Sequence, residues 1–134
     1  MFGEELIIGS SERKVDEQYR FFMPTFTGAE PNDRVVLEAS DNGFIVYPYS
    51  RFLEYHEKYS NLIKNAKSVE EVDRLHREYQ EFFKKLVLEA KLDSKRRIRL
   101  PEQNTVGIAP NSIISCAGLG DGLKIEATEP KKTI

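Results

Sequence analysis

The sequence predicts an α+β protein in which two pseudo-repeated β-rich halves share one small barrel and two helices link them. Three observations carry this. An eleven-residue stretch recurs without a gap, each copy of the repeat carries hairpin signals, and the segment between the copies has helical periodicity instead. A half of this size, built of hairpins, buries too little apolar surface to stand alone. The halves are therefore expected to interlock, and packing strands from both into a barrel would remove exposed edges.

The first half is assigned to residues 1–48. Its repeat unit, Lys14 to Pro24 (KVDEQYRFFMP), lies over Lys91 to Pro101 (KLDSKRRIRLP), with Lys, Asp, Arg and Pro coincident and apolar residues matched. Arg20 to Met23 reads as a short strand ended by Pro24, which cannot donate to a ladder. Further on, Pro31-Asn32, Val35, Gly43, Phe44 and Val46 match Pro110-Asn111, Ile114, Gly122, Leu123 and Ile125 at an offset two residues longer. Val35-Val36-Leu37 then leads through Ser40-Asp41-Asn42-Gly43 into Phe44-Ile45-Val46-Tyr47, a hairpin.

Residues 49–90 form the expected two-helix segment. Pro48 stops the strand, Ser50 is a candidate N-cap, and Phe52, Tyr55, Tyr59, Leu62, Ile63 and Ala66 recur at helical spacing. A second helix is expected from Ser68, where Ser68-Val69-Glu70-Glu71 is a capping box. Its apolar face is assigned to Val72, Leu75, Tyr79, Phe82, Phe83, Leu86 and Ala90. The second half, residues 91–128, repeats the first: Arg97 to Leu100 ends at Pro101, and Ile113-Ile114-Ser115-Cys116 turns through Gly118 to Gly122 into Leu123-Lys124-Ile125. The tail, residues 129–134, has no pattern and is expected to fray.

Composition narrows the function classes. The chain has 134 residues, 40% of them hydrophobic and 31% charged, with a formal net charge of -2. This fits one domain or two half-domains, and excludes collagenous, purely coiled-coil and disulfide-stapled classes. A single cysteine, Cys116, cannot form an internal disulfide, and no Cys/His cluster has zinc-ligand spacing. No apolar run approaches the ~20 residues that span a bilayer, and Leu6-Ile7-Ile8 is too short for a signal-peptide core. The expectation is a cytoplasmic protein with no membrane contact, no cofactor and no metal.

Charge distribution says more than net charge. Lys91, Lys95, Arg96, Arg97 and Arg99 with the single acid Asp93 give +4 over nine positions, while the stretch from Glu12 to Arg20 sets three bases against three acids. Lys and Arg displace counterions from phosphate, and Arg can make two hydrogen bonds to a guanine edge. The candidate contacts to double-stranded DNA are accordingly Arg97, Arg96, Lys95 and Arg99, then Arg20, Lys91 and Lys14. Asp16 and Asp93 repel phosphate, so their expected role is structural: each holds its own turn or pairs with Arg20 or Arg97 to orient the guanidinium. Tyr19 could stack on a sugar or cover the barrel, and cover is the expectation.

The doubled spacing Asp-x-x-x-Arg followed by Pro, at Asp16 to Pro24 and Asp93 to Pro101, resembles the MraZ family of bacterial transcription regulators. Met1-Phe2-Gly3-Glu4, Gly43 to Pro48, and Phe82-Phe83 leading to Ala90 and Leu92-Asp93 agree, so the resemblance covers roughly residues 1 to 126. It implies a divergent member of that family: two AbrB-like swapped-hairpin halves in a doubled barrel, a ring-like homo-oligomer on the nucleoid, and recognition of repeated promoter elements of the division and cell-wall gene cluster through the two motifs. Family members usually carry a glycine just before the motif arginine. Here Tyr19 and Arg96 stand there, and a non-glycine residue leads to the expectation of a different turn.

Catalysis has little support. His56 and His76 lie on different helices with no cysteine near them in sequence, Cys116 reads as a buried thiol in an apolar strand, and Gly118, Gly120 and Gly122 lack the residues of a phosphate loop. Phe52, Tyr55, Tyr59, Tyr79, Phe82 and Phe83 suit a core or a subunit interface. The alternative function is therefore an oligomeric interaction protein of the same fold that has lost DNA binding.

Overall fold

A computed structural model describes residues 1–84, 86–101 and 107–128. The expected tail, 129–134, lies outside these residues. The described chain is α+β, with β1 (Ser10–Lys14), β2 (Arg20–Phe22), β3 (Arg34–Ser40), β4 (Gly43–Pro48), α1 (Tyr49–Lys64), α2 (Val69–Lys84), β5 (Leu86–Lys91), β6 (Arg97–Arg99), β7 (Ile113–Gly118) and β8 (Leu123–Ala127). Six strands form one antiparallel sheet in the order β1-β7-β8-β4-β3-β5, and β2 pairs with β6 as a separate two-stranded ribbon.

That order is the sequence repeat made visible. Exchanging each strand for its counterpart in the other half reproduces the same order from the opposite end. A pseudo-twofold axis follows, running through the Ile45–Lys124 pair of the large sheet and the Phe21–Ile98 pair of the ribbon. The first strand of each half is donated to the other: β1 pairs with β7, and β5 pairs with β3. Neither half is a complete sheet alone, as its size requires. The closed barrel is not what forms among the described residues. Neither sheet closes, because β2 and β6 pair with each other instead of joining the edges β1 and β5.

The repeat also writes the core. Val15 and Leu92, Phe21 and Ile98, Val35 and Ile114, Leu37 and Cys116, Phe44 and Leu123, and Val46 and Ile125 are counterparts, and every one is buried. Fully burying a large apolar side chain is worth about 1.5–3 kcal/mol, so paired burial at matched positions drives the halves together. Near the axis β4 and β8 approach so closely that a Cβ on Gly43 would stand 1.7 Å from the carbonyl oxygen of Ile125.

The helical segment needs two corrections. Helix α1 begins at Tyr49, with Pro48 in the capping position and no side-chain cap, so Ser50 lies inside the helix. The second helix ends at Lys84 and does not reach Ala90, because Leu86–Lys91 hydrogen-bonds to β3. Strand β5 thus falls largely within residues 49–90, assigned to the two-helix segment. Leu, Glu, Ala and Lys favour helix, but the open edge of β3 offers ladder bonds, and tertiary context prevails. At the start of α2, Ser68 Oγ accepts the N–H of Glu71 at 3.1 Å, while the Glu71 carboxylate takes the N–H of Lys67 and not that of Ser68. Tyr55 stacks on Phe82 with centroids 4.8 Å apart, and Tyr59 meets Tyr79 edge-on. Leu75 is the buried anchor of α2, whereas α1 buries no residue. The side chains of Phe83 and Leu86, assigned to the same face, lie outside the described set.

Candidate nucleic-acid interface

The two Asp-x-x-x-Arg segments fold into the same turn. Asp16 Oδ1 accepts the N–H groups of Gln18 at 2.8 Å and Arg20 at 2.9 Å, and Oδ2 takes Nε of Arg20 at 2.9 Å. Asp93 repeats this with the N–H groups of Lys95 at 2.9 Å and Arg97 at 2.8 Å, and with Nε of Arg97 at 2.7 Å. Both roles expected of the aspartates are filled by the same carboxylate. Burial opposes ionisation of Asp16 and Asp93, yet the donors around each outweigh it and hold both carboxyls below the usual carboxylate range. Each arginine uses Nε for its aspartate. Its terminal nitrogens are thereby aimed, a carboxylate-fixed orientation suited to bidentate donation.

The residue before each arginine does adopt the left-handed conformation: Tyr19 and Arg96 both have φ of 61°. A side chain at this position therefore does not prevent positive φ. Non-glycine side chains there cost on the order of 1 kcal/mol each, and the reason for tolerating it is visible. The carbonyl of Arg96 accepts the N–H of Met23, and the carbonyl of Tyr19 accepts the N–H of Leu100. Each strained residue thus hands its carbonyl to the other half and extends the ribbon. Tyr19 also packs against the core, as expected.

The ribbon brings the candidates together. Pairing sets Arg20 opposite Arg99, Phe21 opposite Ile98 and Phe22 opposite Arg97. Phe21 and Ile98 are buried, so the alternation of a strand puts Arg20, Phe22, Arg97 and Arg99 on the outer face. Three arginines from two halves share one surface. The Arg97 guanidinium carbon lies 5.7 Å from the centroid of the Phe22 ring, within cation–π range. Lys95 and Arg96, both exposed, sit on the second turn beside this face. A cleft of about 790 Å³ opens next to it, lined by Arg13, Lys95 and Arg96 together with Phe22, Pro24 and Glu30.

Not every candidate joins. Lys14 and Lys91 are exposed at the ends of β1 and β5, at opposite edges of the large sheet, and lead into the turns without belonging to the ribbon. Pro24 is buried, and its carbonyl accepts the hydroxyl of Thr27 at 2.6 Å; Pro101 is half-buried at the end of β6. Both prolines end strands. Sequence reasoning missed Phe22 as an outward residue. The signal was available, because of two consecutive phenylalanines on one strand only one can face the core.

Elsewhere, His56 Nδ1 lies 2.6 Å from the Tyr79 hydroxyl, across the two helices, and His76 is exposed. Burial pushes the Cys116 thiol up to about 11. Gly118, Gly120 and Gly122 form the turn between β7 and β8, bridged to Ile7. Among the described residues no group of three or more His, Cys, Asp or Glu is placed to hold a metal ion, and no helix is long and apolar enough to cross a membrane. Comparison with models of protein families finds none that matches the chain, and no curated protein matches it either.

Proposed function

We propose that this chain is a sequence-reading DNA-binding transcriptional regulator of the MraZ type, which reads promoter repeats with the face of the β2–β6 ribbon and its two flanking turns. The observation that carries the reading is the outward row of Arg20, Arg97 and Arg99, drawn from both halves, with Arg20 directly opposite Arg99. A two-stranded ribbon is also a shape that the major groove of B-DNA admits. Lys95 and Arg96 would then bind phosphate beside the groove, and the aspartates set the aim of Arg20 and Arg97.

The proposal includes two AbrB-like swapped-hairpin halves as the family unit, supported by the exchange of β1 and β5 between the halves. It also includes a ring-like homo-oligomer on the nucleoid. Helix α1, with no buried residue and with Leu53 and Leu62 exposed, supports an association surface there. A ring multiplies weak contacts to successive repeats through effective concentration.

Fluorescence anisotropy tests the function, using the duplex upstream of the chain's own gene against a scrambled duplex, each titrated over salt. Tight binding to the native duplex alone, weakening steeply with salt, is the expected result. Equal weak binding to both, or none, would transfer the reading to an interaction protein that has lost DNA binding. Light scattering tests the ring separately, and a monodisperse monomer at micromolar concentration would remove it.

A further inference from the structure

The two halves make unequal contributions to the ribbon face. Arg20 and Arg97 are counterparts, but the next outward position is Phe22 in the first half and Arg99 in the second. Phe22 is 53% exposed, a large apolar ring left in water in a row of guanidinium groups. The core does not need it, because Phe21 already fills the inward position at 1% exposure. Arg97 lies over its ring, and the carboxylate of Asp93 fixes Nε of that arginine. The ring is therefore held on the outer face.

We infer that Phe22 is a specificity-determining residue that reads the 5-methyl group of thymine in the major groove, beside the base that Arg97 contacts. This rests on the DNA-binding reading given above. In the major groove thymine is the base that presents a methyl group, and apolar side chains are its natural partners. Arg suits the O6 and N7 acceptors of guanine. The 5.7 Å between the Arg97 guanidinium and the ring, set against about 3.4 Å per base step, puts the two contacts one or two steps apart. The ribbon thus reads a thymine close to a guanine on the Phe22 side, and arginine-type contacts on the Arg99 side. The pseudo-symmetric fold acquires a polarity along the DNA from a single pair of unlike counterparts.

The test compares two forms of one duplex, the region upstream of the chain's own gene, synthesised once with thymine and once with uracil in its place. The two differ only in 5-methyl groups. The wild-type protein is expected to bind the thymine form about four-fold more tightly for one buried methyl, and Phe22→Ala to bind both forms equally. Equal wild-type affinity for the two forms would overturn the inference while leaving DNA binding intact. A thymine preference retained in Phe22→Ala would overturn it as well, by assigning the methyl contact elsewhere. Failure of the wild type to bind either form would sink both this inference and the reading beneath it. Because Phe22 is exposed, the variant is expected to unfold as the wild type does, which a urea melt checks.

Discussion

The turn at Asp16–Arg20 and the turn at Asp93–Arg97 share one backbone and differ in what they carry. Each aspartate accepts the same two N–H groups and the same Nε, and each has a residue at φ of 61° before its arginine. Their charges diverge: Glu12 and Glu17 offset Arg13 and Lys14 around the first, whereas Lys91, Lys95 and Arg96 surround the second. Geometry in this molecule follows from the aspartate, the arginine and the cross-half hydrogen bonds. Charge is set by the residues around them, which the geometry leaves free to change.

The strongest way to break the comparison is to remove what the two turns share. Phe21→Ala at the pseudo-axis should cost about 3–5 kcal/mol and Ile98→Ala about 2–5 kcal/mol, and either should lower the midpoint of a single cooperative urea transition. Two separate transitions would mean that the halves stand independently. Next comes the arginine pair. Arg97→Ala should weaken binding to the native duplex by about 5- to 150-fold, the worth of one bidentate base contact, and Arg20→Ala by less, because acids surround it. Equal losses, read by anisotropy, would show that local charge does not distinguish the turns.

A smaller effect sharpens the comparison from the backbone side. Arg96→Gly should raise stability by about 1 kcal/mol through relief of the left-handed strain, yet weaken DNA binding and flatten its salt slope, since a cation is lost. Tyr19→Gly should gain less stability, because Tyr19 packs against the core. Denaturant midpoints for the two variants check this. The smallest effect is with pH. Both carboxyls are held below the usual carboxylate range in the folded protein by the backbone N–H groups and the arginine around each, so the stability they supply is complete above that range and is lost as pH falls through the depressed native values. Asp16→Asn and Asp93→Asn should each make stability less dependent on pH in that acid range, followed by circular dichroism, and by similar amounts if the turns are equivalent.

Much of the fold was legible because the repeat is written in apolar positions. Val35 with Ile114 and Phe44 with Leu123 announce hairpins whose burial the structure bears out. Strand β1 was not legible, since Ser10–Lys14 is polar and exposes every other residue. Strand β5 was read as helix because Phe82, Leu86 and Ala90 happen to keep helical spacing, and only the edge of β3, a tertiary feature, decides against it. Turn chemistry was legible at Asp16 and Asp93. The ribbon was not, as nothing local says that Arg20 will face Arg99; that register comes from the packing of two halves.

The exchange of first strands has a consequence for how the protein is made. Ser10 leaves the ribosome 107 residues ahead of Ala117, its ladder partner, and waits for it throughout that interval. The large sheet cannot be completed until β7 and β8 have emerged, so β3 and β4 spend that interval with open edges and exposed apolar faces. High sequence separation slows the closing step further. The helical hairpin and the β3–β4 hairpin need only their own neighbours, and the nascent chain before β7 emerges is the state in which aggregation or chaperone capture would occur.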